Sequence, residues 1–454
     1  MPLNTTCLKA VFTLDELKEL FAFTLDESKT KSFSINTDSR TIKQNEIFLP
    51  LTGENFDGHD FINNTLEICS LAFCEKSKTP KVKKENKSKL LLVENALDAY
   101  HKIANHYRKK INPKVIAITG SSGKTTVKDL ISSVLSIKYK VHKTEANFNN
   151  EIGVPKTILE MPEGTQILVL ELAMRGKGEI GFLSKTAEPD IAVITNVGTA
   201  HIGRLGTREN IAKAKCEALM YLRKEGIAVL HNDTLLKEEA KKLWRGKTIL
   251  FGPNESKDVS FEGGRSNFSF HDRKYYIPTL GRIHVLNSIV GILVAETLGL
   301  KKEEIDKGLN SFNVPEGRGE IVKLKGDVYL IDETYNANPD SVKAAVSNLL
   351  ECWGNDFKKV LVLGELAELG DCQDNLLKEL AIWLQSKYLD NIITVGNKLS
   401  EINFAQNAKD NKECCAILKN LIMPKTIFLL KGSHAAKLNE VVGYLKQGGK
   451  ELTD

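Results

Sequence analysis

Apolar residues along this chain fall into two alternating patterns: short, continuously apolar runs of four or five residues, and longer segments in which apolar positions recur with helical spacing. In the middle of the chain the runs cover 115–119, 167–170, 191–195 and 227–230, with helix-length segments between them. Runs that are apolar on both faces and alternate with helices predict a largely parallel sheet covered on both sides. The alternation resumes near 314 with runs at 328–331, 360–363, 392–395 and 427–430. Ahead of 112 the runs at 70–74 and 90–93 mix with turns, and a helical segment at 96–110 closes the region. The Asn112-Pro113 pair should stop that helix, because the residue before a proline is pushed out of the α region.

These shifts of pattern predict an α/β chain of three domains: a small amino-terminal α/β domain over 1–112, a central domain with a mostly parallel sheet over 113–313, and a Rossmann-like α/β domain over 314–454. A length of 454 residues agrees, since domains average roughly 150 residues. A hydrophobic share of 42% with 27% charged residues belongs to an ordinary globular protein rather than a disordered one. The net charge of +5 is a small difference between 63 basic and 58 acidic residues, so it points to no particular partner. The one lysine run, 76–89, lacks interleaved aromatics and reads as a solvated loop or helix end, not a nucleic-acid surface. Eight cysteines lie scattered without paired CxxC spacing, which argues against a zinc site or a disulfide framework. No leader-like amino terminus and no stretch of about 18 apolar residues is present, so the expectation is a cytoplasmic protein without membrane insertion.

The strongest chemical signal is Gly120-Ser121-Ser122-Gly123-Lys124-Thr125-Thr126, which follows the strand-like VIAIT and opens a helical segment. Glycines admit backbone N–H groups to phosphate oxygens, a helix N-terminus favours anions, a lysine reaches terminal phosphates and a threonine hydroxyl can ligate Mg²⁺. Ile118 stands where the longer GxxxxGK[ST] pattern has its first glycine, so the loop is the shorter GxxGKTT form.

Three polar residues close apolar runs, where ligands of open α/β sheets gather: Glu171, His201 and Asp332. A carboxylate directly after a buried run is costly unless paired or metal-bound, so Glu171 is either a helix cap or a Mg²⁺ ligand. His201 is either a satisfied loop histidine or a ligand.

With these residues in view, the chain resembles the Mur ligase family, and within it the MurF branch. The segments that carry the resemblance are GSSGKTTVK (120–128), ANFNNEIGVP (146–155), ELAMRGKGEI (171–180), TNVGTAHIGRLGTRENIAKAKCE (195–217), PEGRGE (315–320), DETYNANPDS (332–341), LGELAELG (363–370) and KGSHA (431–435), in that order over nearly the whole chain. The resemblance implies an ATP-dependent, ADP-forming ligase that joins D-alanyl-D-alanine to UDP-N-acetylmuramoyl-tripeptide through an acyl phosphate, acting as a monomer.

It further implies roles for residues. Lys124 and Thr125 would hold ATP phosphates and magnesium; Glu171 and His201 would hold a second magnesium. Asn147 and Asn150 would face the muramoyl peptide. Arg318 would reach a phosphate of ATP, Asp332 and Tyr335 the nucleotide from the third domain, and Asn287 the adenine. Ser39 and Arg40 in Asp-Ser-Arg would contact the UDP moiety, although the tripeptide alone reads as a polar turn. The family pattern GxHNxxN is here Gly281-Arg282-Ile283-His284-Val285-Leu286-Asn287, which leaves adenine recognition open.

Lys215 is the further candidate. A helix read over 208–222 carries an apolar stripe of Ile211, Ala218, Leu219 and Leu222, and Lys215 falls on that inward face at i+4 from Ile211, with Lys213 roughly opposite. Burial and a nearby dication would depress its pKa, so it is either a lysine that snorkels from the helix edge or a carbamate-bearing magnesium partner. Related ligases, of the MurE or folylpolyglutamate synthase type, remain alternatives, as does a P-loop ATPase switch with no ligase activity.

Overall fold

The computed structural model describes residues 10–23 and 32–448 of the 454. They divide into two compact units. One takes the residues up to Ala117 with Tyr139–Leu172 and Phe182–Asp190; the other takes Ile118–Lys138, Ala173–Gly181 and everything from Ile191 on. The division cuts the strand Lys114–Thr119 in two.

The first unit holds a five-stranded sheet whose strands Phe12–Thr13, Ser32–Asn36, Glu46–Phe48, Leu71–Glu75 and Leu90–Val93 lie in sequence order. The first pair is antiparallel and the rest parallel. The helix Ala96–Ile111 begins where the Asn95 side chain accepts from the Asp98 N–H at 2.9 Å. It ends as expected before Pro113, by a different device: Asn112 takes the left-handed conformation (φ 51°) and its N–H returns to the Arg108 carbonyl. The lysine run forms two short 3₁₀ segments, Lys76–Lys81 and Lys84–Lys89, and Lys78 and Lys81 pair with Asp57 and Asp60. Part of its charge is thereby matched inside the chain.

In the second unit, the strands Ile191–Ile194, Ile227–His231 and Lys247–Phe251 run parallel and adjacent. Beyond them Lys257–Glu262, Arg265–Phe270 and Arg273–Ile277 make a separate antiparallel three-stranded sheet, which the pattern of apolar runs did not mark. Its two hairpins turn on residue pairs with positive φ, Gly263-Gly264 and His271-Asp272, as two-residue loops require. The helices Arg282–Thr297 and Lys302–Asn310 pack on Lys124–Leu135, so closely that a methyl on Gly308 would lie 2.3 Å from the Val134 Cα.

The carboxyl-terminal part is a six-stranded sheet in the order Glu320–Lys323, Val328–Glu333, Thr426–Lys431, Lys358–Gly364, Asn391–Val395, Gln406–Ala408. All neighbours are parallel except the first pair. Two separate apolar clusters cover it, one centred on Val360, Val362 and Phe428 and the other on Leu361, Leu363 and Leu429. Alternate residues of the same strands feed the two clusters, the signature of a sheet buried on both faces. The described cysteines are free thiols, and burial raises Cys414 to about 12. No described helix is long and apolar enough to cross a membrane.

Candidate functional site

The phosphate loop leaves the strand at Thr119, and the helix Lys124–Leu135 begins within it. Gly120 (φ 154°) is required, because a Cβ there would lie 1.8 Å from the Thr195 hydroxyl. Gly123 (φ 77°) sits at the helix N-cap without a side-chain cap. Lys124 folds back so that its ammonium donates to the Gly120 carbonyl at 2.9 Å, which is the posture of a lysine arched over the loop.

Asn196, which sequence reasoning did not single out, braces this loop. Its carboxamide oxygen accepts from the N–H groups of Ser121 and Ser122 at 3.1 and 3.0 Å, while its NH₂ donates to the Ser122 hydroxyl and carbonyl at 2.9 and 3.2 Å. Thr195 adds a 2.6 Å bond from its hydroxyl to the Ser122 carbonyl. The available signal was its place directly after the apolar run 191–195, where polar side chains meet the loop of the neighbouring strand.

Ser121, Ser122 and Gly123 open on a cavity of about 670 Å³, within the range of small-molecule sites. Asn287 lines it too, its carboxamide oxygen 3.2 Å from where a Gly123 Cβ would be. The departure at 283–284 resolves by direction. Ile283 lines the cavity, whereas His284 is buried against Gly319, whose added Cβ would meet its Nε2 at 2.9 Å. Burial pushes the His284 pKa down, against the pull of Glu333.

The structure gathers Arg318, Asp332 and Tyr335 into one cluster. The Arg318 guanidinium lies 3.8 Å over the Tyr335 ring, the Tyr335 N–H reaches the Gly317 carbonyl, and the Gly319 N–H reaches that of Asp332. The Asp332 carboxylate is occupied by the Thr334 hydroxyl and N–H at 2.6 and 3.1 Å. These three do not line the cavity. Its wall from the carboxyl-terminal part is instead Asn338 and the helix Pro339–Cys352 that it caps, with Asp340 of the first turn accepting from the Thr199 N–H and hydroxyl at 2.7 and 2.8 Å.

His201 adopts φ 65° ahead of the short helix Ile202–Leu205, and its Nδ1 is 2.5 Å from Glu368 of the loop after Lys358–Gly364. The His201 contact is the chief reason that the Glu368 carboxyl stays below the usual glutamate range, with burial opposing it. Lys215 is 1% exposed. Burial, and then the charge of Lys124, holds its pKa well below the usual lysine value. The regular helix is Arg208–Cys216, shorter than the expected 208–222, with a 3₁₀ turn Glu217–Leu219 continuing the inward face; Lys213 is exposed as expected. Glu217 beside it is spent on the N–H groups of Gly178 and Gly181.

In the first unit, Glu171 ends the strand Ile167–Glu171 at 2% exposure and accepts from the Asn149 amide at 2.9 Å. Asn149 is thus the loop asparagine that meets it, and was not among the expected residues. Asn147 is exposed, and the Asn150 carboxamide oxygen accepts from the Gly153 N–H at 2.9 Å. Around Ser39, the Arg40 fork is engaged by Asp38 at 2.9 and 2.8 Å in an exposed turn.

Residues 118–295 match the Mur ligase middle domain, and 317–434 match the Mur ligase, glutamate ligase domain. The chain is 35% identical over 433 residues to the UDP-N-acetylmuramoyl-tripeptide–D-alanyl-D-alanine ligase of Bacillus subtilis (strain 168), covering 91% of this chain and 93% of the relative. The ligase of that name from Synechocystis is 37% identical, with 91% of each covered. Among solved structures, MurF from Acinetobacter baumannii aligns with a TM-score of 0.87 at 30% identity over 97% of this chain and all of that one. MurF from Thermotoga maritima in complex with ADP aligns at 0.82 and 29%, over 91% and 97%. A braced GxxGKTT loop on a parallel sheet, together with relatedness over nine-tenths of its length, means that the chain belongs to the Mur ligase family.

Proposed function

We propose that this chain joins D-alanyl-D-alanine to UDP-N-acetylmuramoyl-tripeptide with cleavage of ATP to ADP and phosphate, a step of peptidoglycan precursor synthesis. One observation carries the reading: the braced loop 120–126 opens on a nucleotide-sized cavity in a chain related over nine-tenths of its length to ligases of that name. The terminal carboxylate of the tripeptide attacks the γ-phosphorus of ATP, ADP leaves, and an acyl phosphate forms. The amine of D-alanyl-D-alanine then attacks the acyl carbon, phosphate departs and the nitrogen loses a proton.

In this reading the domains are 1–112 for the UDP substrate, 113–313 for ATP and 314–454 for completion of the nucleotide site. Lys124 neutralises charge as carboxylate and phosphate converge, and the loop N–H groups hold phosphate oxygens. Magnesium, when bound, adds further charge neutralisation at the phosphates. The Thr125 hydroxyl on the first helical turn and the Glu171 carboxylate are oxygen donors of the kind a hard cation takes, and the His201 imidazole is assigned as a nitrogen ligand. Two ions are assigned. Lys215, buried and with its amine favoured in the neutral form, takes up CO₂: its nitrogen bonds the carbon, a proton leaves, and the carbamate supplies an anionic oxygen. Ser39 and Arg40 are assigned to the UDP moiety; Asn147 and the NH₂ of Asn150 to the muramoyl peptide; Arg318, Asp332 and Tyr335, which lie off the cavity wall in this structure, to the nucleotide from the third domain. The protein is assigned as a cytoplasmic monomer.

The deciding experiment follows phosphate release from ATP with UDP-N-acetylmuramoyl-tripeptide present, with and without D-alanyl-D-alanine. Turnover that requires both, with one product containing both, is expected. Turnover indifferent to both substrates would make the chain an ATPase switch and overturn the reading.

A further inference from the structure

The helix Ala96–Ile111, which closes the amino-terminal domain, carries a histidine that is only 5% exposed, His101, with both ring nitrogens engaged. Nε2 lies 2.7 Å from the Glu151 carbonyl and Nδ1 2.5 Å from the Thr186 hydroxyl, partners 50 and 85 residues away in the sequence. A carbonyl can only accept, so Nε2 carries the proton. The neutral ring then keeps its lone pair on Nδ1, which accepts from the Thr186 hydroxyl. Burial holds the ring neutral, lowering its pKa to about 4 against the pull of the Glu151 carbonyl. The Phe182 ring packs on it with centroids 4.1 Å apart. The same helix holds its neighbours at two further points: the Tyr107 hydroxyl donates to the Met161 carbonyl and the Asn105 amide to the Thr186 carbonyl, each at 2.9 Å.

Glu151 belongs to the turn 145–153, which also carries Asn147, Asn149 and Asn150. The turn winds tightly on itself. The Asn149 N–H donates to the Asn147 carbonyl at 2.8 Å, and a methyl on Gly153 would lie 2.3 Å from the Phe148 carbonyl carbon. It meets Glu171 through Asn149. We propose that His101 is a positioning residue: by holding the Glu151 carbonyl, its Nε2–H sets the asparagine turn against the helix that ends the domain assigned to UDP. A compact turn can shift as a body. A buried donor aimed at one of its carbonyls opposes that shift, because moving away leaves a buried polar group unmet on each side. The place for the peptide end of the substrate is thereby held in register with the place for its UDP end. That consequence rests on the ligase reading above; the anchoring of the turn does not.

Two substitutions separate the contacts. His101→Gln carries its NH₂ to about the place of Nε2 and can still donate to Glu151, whereas His101→Asn is too short to do so. In the full-length protein without substrate, hydrogen exchange of the amides of 149–154 should quicken in His101→Asn, stay near the parent rate in His101→Gln, and be unaltered in the strands Ser32–Asn36 and Glu46–Phe48. By calorimetry, UDP-N-acetylmuramoyl-tripeptide should bind roughly 10-fold more weakly to His101→Asn, the cost of one lost buried hydrogen bond. UDP alone should bind both variants as it binds the parent, the KM for ATP should not move, and His101→Gln should recover most of the tripeptide affinity. In ¹⁵N-histidine-labelled parent protein, the ring signal that disappears in His101→Gln should show Nε2 protonated and Nδ1 not. A ring protonated on Nδ1 alone, exchange of 149–154 unmoved in His101→Asn, UDP weakened as much as the tripeptide substrate, or His101→Gln no better than His101→Asn would each overturn the proposal. A parent protein with the expected tautomer and exchange pattern that binds neither UDP nor the tripeptide substrate would instead sink the ligase reading and leave the anchoring standing.

Discussion

Replacing Asn196 by alanine removes four hydrogen bonds that hold the phosphate loop, two accepted by the carboxamide oxygen and two donated by its NH₂. Each contributes about 0.5–1.5 kcal/mol net. The loop lines an open cavity, so water can replace part of what is lost, and about half of the sum, ~2 kcal/mol, should remain as disorder that ATP must overcome on binding. At 1.36 kcal/mol per factor of ten, this predicts a fall of roughly 30-fold in kcat/KM for ATP. Most of it should appear in KM, since the bonds order the ground-state site. The assay is steady-state phosphate release at saturating UDP-substrate and D-alanyl-D-alanine, with thermal unfolding run in parallel. Asn196→Asp keeps the two bonds accepted by Oδ1, loses the two donated by the NH₂ and puts a carboxylate beside the phosphates, so it should be worse than alanine. An alanine variant within twofold of wild type, or an aspartate variant better than it, would refute the bracing role.

Lys124→Ala should abolish ligation while leaving the unfolding transition unchanged, because the lysine acts over a loop and not in the core; more than a few per cent of residual activity would count against the phosphate-loop assignment. Lys215→Ala should be inactive and partly rescued by added short carboxylic acids that stand in for the carbamate, whereas Lys213→Ala should need no rescue; an active Lys215→Ala enzyme would remove the carbamate from the mechanism. Gly308→Ala should destabilise by about 1–3 kcal/mol through overpacking against the Val134 backbone, outweighing the ~1 kcal/mol helix-propensity gain; denaturant unfolding showing a more stable variant would contradict that packing.

Much of the fold and part of the site were legible in the chain, because they rest on local chemistry. Apolar runs bounded by turns marked eight of the strands in the two six-stranded sheets to within two residues, while Val141–Lys143, Lys247–Phe251, Glu320–Lys323 and Gln406–Ala408 went unmarked. The glycine-lysine-threonine turn announced the phosphate loop, since only glycine tolerates the close approach of Thr195 at position 120. Helical spacing from Ile211 was enough to turn Lys215 inward.

What escaped was set by partners distant in sequence or by subtler patterning. The antiparallel sheet 257–277 was missed because its strands are buried on one face only, through Ser266, Phe268 and Phe270 in one and Tyr275 and Ile277 in the next, so no continuous apolar run marks them. Which asparagine of 147–150 meets Glu171 depends on the turn that Asn150 caps, and so Asn149 could not be chosen from composition. The sequence by itself determined an α/β chain of parallel sheets with a glycine-rich strand-loop-helix turn of the phosphate-binding type, since periodicity and such a turn are properties of neighbouring residues. Only the tertiary structure decided that Asn196 braces the loop, that Asn338 and Asp340 wall the cavity and that Glu368 lies against His201, because each of these joins segments whose proximity exists only once the sheets have packed.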